Sequence, residues 1–75
     1  MIFRIKVMNP ETREQWWETM NRAVGERRRV RGYPDPPKFT GDINLFGMEL
    51  IKWFNDTRKD GVPPREFVTA ELLED

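Results

Sequence analysis

The chain has no cysteine and no histidine. Disulfides, zinc-finger ligation, thiol nucleophiles and Ser-His-Asp or Cys-His machinery are therefore excluded from the outset. Small secreted domains usually lean on disulfides or a structural metal. A 75-residue chain with no such residues is expected in a reducing compartment, the cytoplasm, held up by packing or by a partner. Net charge is missing too, because 13 Lys and Arg balance 13 Asp and Glu. Long apolar runs are absent: the longest, Ile43 to Phe54, is broken by Asn44, Glu49 and Lys52 and is too short to cross a bilayer. The opening MIFRIKVMNPE lacks both the apolar core and the cleavage site of a secretory signal. No membrane partner, metal or cofactor is expected.

What is present is aromatic surface. Five Phe, three Trp and one Tyr can each bury a large area, which argues for a folded chain although the apolar set is only 37% of the residues. Seventy-five residues allow one small domain, spanning 1–75. The zero net charge conceals a polarity. Residues 1 to 40 carry nine Lys and Arg against five Asp and Glu, while 41 to 75 carry four against eight, so the halves stand near +4 and −4. That favours packing the halves together or docking on a partner with its own sign pattern.

Residues Ile2 to Val7 alternate, with Phe3, Ile5 and Val7 on one side and Arg4 and Lys6 on the other, the period of a half-buried strand. Its pairing partner stays open among a strand near Arg28 to Tyr33, one near Phe67 to Ala70, and another chain. Asn9-Pro10 is a helix-start signal. From it Trp16, Met20, Ala23 and Val24 follow at helical spacing, predicting an amphipathic helix with a Glu18 to Arg22 pair and an end at Gly25 or as late as Gly32. Pro34, Pro36 and Pro37 make residues 33–41 a stiff connector, with Tyr33-Pro34 a candidate for slow isomerisation. Asp42 caps a second helix from Ile43 to about Lys59, with Ile43, Phe46, Leu50, Trp53 and Phe54 on one arc and Gly47 inside it. Leu45 and Met48 fall on the opposite side. After Pro63-Pro64, residues 65 to 73 form either a short acidic helix or a strand at Phe67 to Thr69.

The most pointed chemical feature is the run Arg27-Arg28-Arg29, with Arg22 and Arg31 nearby. Guanidinium forks suit phosphates and carboxylates, but a helix end rich in arginine for dipole reasons is the plainer account of such a run. Trp16 and Trp17 cannot both point inward on a helix, so Trp17 is expected at the rim or in an interface. The carboxylate sets Glu14/Glu18, Asp42/Glu49 and Asp56/Asp60 each have a capping or surface role, and catalysis is not expected from them.

The resulting expectation is an α+β fold with a short N-terminal strand, two main amphipathic helices and a short C-terminal helix or strand. The expected function is non-enzymatic docking on a larger protein assembly through Trp17, Arg22, Arg27, Arg28, Arg29, Arg31, Leu45 and Met48. The alternative is a nucleic-acid-binding domain in which Arg27, Arg28, Arg29 and Arg31 meet phosphate and Tyr33 stacks on bases. A homo-oligomeric structural part is a third class. In size, lack of Cys and His, and charge polarity, the chain resembles small phage-encoded proteins that bind and redirect host machinery. That resemblance implies a regulator, or inhibitor, of transcription with RNA polymerase as the partner assembly. It is carried by general character and assigns no residue roles.

Overall fold

The computed structural model describes residues 1–22, 31, 32 and 34–74. Three strands and one helix follow in the order β1 (Ile2–Met8), β2 (Gln15–Asn21), α1 (Ile43–Thr57) and β3 (Glu66–Glu74). The sheet order is β2-β1-β3, and both pairings are antiparallel. The N-terminal strand is where the alternation places it, with Phe3, Ile5 and Val7 fully buried. As the central strand it gains both of its ladders from within the chain. The 28–33 option falls mostly on residues outside those described.

The expected first helix is corrected to a strand. Asn9 does cap a turn: its Oδ1 accepts from the amides of Glu11 (2.8 Å) and Thr12 (3.3 Å), and the Arg13 amide donates to the Asn9 carbonyl. One turn is all that forms. Arg13 takes a left-handed φ of 66°, which ends the turn and reverses the chain, and the Asn9 amide then donates to the Glu14 carbonyl. Beyond it Trp16, Glu18 and Met20 alternate with Gln15, Trp17, Thr19 and Asn21 as a strand registered on β1. The energetics favour this outcome. Helix preferences differ among ordinary residues by at most about 0.7 kcal/mol each, whereas each buried backbone group of β1 left unpaired costs about 1–3 kcal/mol. The Glu18 to Arg22 pair is lost with the helix, and Gly25 lies outside the described residues.

The second helix stands as read from Asp42 onward and ends two residues earlier. The Asp42 carboxylate accepts from the amides of Asn44 (3.0 Å) and Leu45 (3.1 Å). Phe46, Gly47, Leu50 and Ile51 are buried, while Ile43, Trp53 and Phe54 sit half-buried at the margin. Phe46 meets Phe3 and Phe39 edge-on, at centroid separations of 5.4 and 5.7 Å, closing the core between α1, β1 and the connector. In the connector Pro36 is buried, the Trp53 indole donates to the Pro34 carbonyl at 2.9 Å, and every described peptide bond is trans.

The C-terminal element is a strand, so α1 is the single helix among the described residues and the two-helix architecture is set aside. β3 is longer than the expected Phe67 to Thr69 because it runs the full length of β1. Its register shifts twice, leaving Val68 and Leu73 outside the one-to-one pairing. Helix α1 packs chiefly on β3. Among the described residues no helix is long and apolar enough to cross a membrane.

Candidate partner-binding surface

Only one face of the sheet receives the helix. Pairing puts Trp16 opposite Val7 and Met20 opposite Phe3, toward the core, and therefore Trp17 opposite Lys6 and Thr19 opposite Arg4, on the other face. Trp17 is 36% exposed. The Arg4 guanidinium lies over its ring at 4.1 Å from the centroid, and the Lys6 ammonium stands at 5.7 Å. Both are within cation–π range. Arg4 is fixed from its other side by Glu71 of β3, with Nε to Oε2 at 2.8 Å and Nη2 to Oε2 at 2.7 Å. An indole, two cations and a carboxylate thus run across all three strands of this face.

The remaining expected site residues do not converge on it. Arg22 follows β2, exchanges backbone hydrogen bonds with Met1, and holds its guanidinium 5.6 Å from the Phe54 centroid on the helix side. Leu45 (44% exposed) and Met48 (54%) are solvent-facing residues of α1, on the layer opposite Trp17. Arg31 is exposed in a turn. Arg27, Arg28, Arg29 and Tyr33 lie outside the described residues. Arg4, Lys6 and Glu71 were not anticipated as site residues. The alternation of β1 already turned Arg4 and Lys6 away from the core, but with Trp17 placed on a helix nothing brought them to it.

Two of the carboxylates take structural roles. Asp42 is the helix cap, and Glu18 Oε1 accepts from both the Trp16 indole (3.0 Å) and Arg65. Among the described residues no group of three or more Asp and Glu is placed to hold a metal ion. No protein-family model, curated protein or solved structure matches this chain.

Proposed function

We propose that the protein is a non-enzymatic interaction module that docks on a larger protein assembly and modulates it. The open sheet face centred on Trp17 forms its contact surface. The observation that carries this reading is a tryptophan on the sheet face without the helix, 36% exposed, with the Arg4 guanidinium stacked over its ring at 4.1 Å from the centroid. Tryptophan and arginine are the residues most enriched where interface energy concentrates, and a side chain fixed before binding loses less entropy on docking. The resemblance to phage-encoded host-directed regulators makes bacterial RNA polymerase the first assembly to test. Trp17→Ala, with unchanged far-UV circular dichroism, should weaken capture of that assembly at least about fivefold, the effect of a 1 kcal/mol contact. Unaltered affinity would remove this face as the docking surface.

One observation favours the nucleic-acid reading: an aromatic ring on an exposed sheet face beside cations is also a stacking platform. Binding of that kind releases counterions. Affinity for a single-stranded oligonucleotide should then fall steeply with salt, and Arg27, Arg28 and Arg29→Ala should flatten the slope. No gel shift at low salt ends that reading.

A further inference from the structure

Because α1 lies chiefly on β3, the inner face of β2 is only partly covered, and a cavity of about 270 Å³ opens there. Its apolar walls are Met20 of β2, Phe54 of α1, and Val62 and Pro63 of the segment after the helix. Arg58, Arg65, Glu18 and Asn55 supply its polar lining. Arg58 is fixed by its own turn: Nε donates to the Val62 carbonyl at 3.1 Å and Nη1 to the Asn55 carbonyl at 2.6 Å. Both acceptors are neutral, and among the described residues no carboxylate forms an ion pair with Arg58. The one carboxylate lining the cavity, Glu18, is already engaged by Arg65 and by the Trp16 indole. An apolar cavity is therefore bordered by a positioned guanidinium that has no charge partner among the described residues.

We infer that this cavity is a binding site for a small carboxylate bearing an apolar ring or chain. A guanidinium matches a carboxylate in shape and charge, and one already immobilised loses little rotamer freedom on binding. Met20, Phe54, Val62 and Pro63 take the apolar portion. At roughly 30 Å³ per water the cavity corresponds to about nine waters. That suits a ligand of about ten non-hydrogen atoms and lies below the usual range for larger ligands. The site is on the opposite face of the sheet from Trp17 and is independent of the docking reading.

The test is a titration of the full chain followed by NMR, using 3-phenylpropionate, its neutral amide and acetate as probes. The acid should give saturable shifts at the Met20 and Val62 methyls and the Arg58 Nε–H, and the amide should bind about tenfold more weakly, the effect of about 1.4 kcal/mol of charge recognition. Acetate alone should not saturate. Arg58→Gln should lower affinity for the acid toward that of the amide, and Trp17→Ala should leave it unchanged. If Arg58→Gln fails to fold, the comparison of acid with amide on the unaltered chain decides. Equal binding of acid and amide, saturation by acetate, or no saturable shift at Met20 and Val62 would overturn the inference. None of these outcomes bears on capture through Trp17.

Discussion

A single hydrogen at Gly47 sets how closely the helix and sheet approach. A β-carbon there would lie 2.8 Å from Phe67 Cε1 and 3.1 Å from Ala70 Cβ, and Ala70 is buried and anchored directly to β3. Two effects of Gly47→Ala oppose each other. Alanine improves intrinsic helix preference by about 1 kcal/mol, while overpacking a well-filled core costs typically about 1–3 kcal/mol. The clash should win. Gly47→Ala is expected to lower stability in urea by about 1 kcal/mol, and Gly47→Val by more, since its branch also has to enter the contact. A stabilised alanine variant would mean that α1 and β3 are not held this closely. Asp42→Ala is a contrasting change in the same helix. It removes the acceptor for two free amides without touching the core, and should cost about 1 kcal/mol.

At the scale of elements, two asparagines fasten α1 along the free edge of β3. Asn44 Oδ1 accepts from the Ala70 amide (3.1 Å) and the Thr69 hydroxyl (3.3 Å). Asn55 donates to the Arg65 carbonyl (2.8 Å) and accepts from the Arg65 amide (3.0 Å). The spacing explains why both reach. Eleven helical residues rise about 16.5 Å, five strand residues span about 16.5 Å, and eleven steps of about 100° return the second asparagine to nearly the first one's azimuth. An edge strand would otherwise present these groups to a foreign strand. Asn55→Ala should cost about 1–3 kcal/mol for its two bonds and accelerate hydrogen exchange of the Arg65 amide, and Asn44→Ala should do the same for Ala70. Unchanged protection at both amides would show that the asparagines do not hold the strand.

The same elements show what the sequence disclosed. β1 and α1 were legible because each carries a clean period and, for α1, a cap. Gln15–Asn21 was misread because Trp16 and Met20, four residues apart, share a face in a helix and in a strand alike. The Asn-Pro cap before them was real but governs only one turn. In β3 a period-2 reading groups Val68 with Ala70 and Leu72, whereas the register shift sets Phe67, not Val68, opposite Val7, and a second shift passes over Leu73. The Trp17 surface was half legible. Its tryptophan stood out by composition, whereas Arg4, Lys6 and Glu71 join it only through strand registers that no local pattern contains.

For the whole molecule, the charge polarity of the chain becomes a spatial arrangement. β1, with Arg4 and Lys6, lies beside β3, with Glu66, Glu71 and Glu74, and the pairing sets Arg4 directly opposite Glu71. Both side chains are substantially exposed, at 37% and 48%, so the ion pair itself contributes no more than about 1 kcal/mol. Reversing it adds a repulsion to the loss of that attraction. Glu71→Lys removes the partner of Arg4 and sets two cations opposite each other with Lys6 nearby, an arrangement that is itself destabilising across a sheet. The variant should lose about 1 kcal/mol in urea at 0.1 M salt, where the screening length is about 10 Å. Most of that loss should disappear at 1 M, where it falls to about 3 Å. Val68→Lys, on the same strand but outside the one-to-one pairing, also places a lysine on β3, with half the change in charge and without opposing Arg4, and should change stability far less at either salt. A Glu71→Lys loss that persists undiminished at 1 M salt would mean that position 71 acts through packing, and that the opposite charges of the two halves do not help to hold β3 on β1.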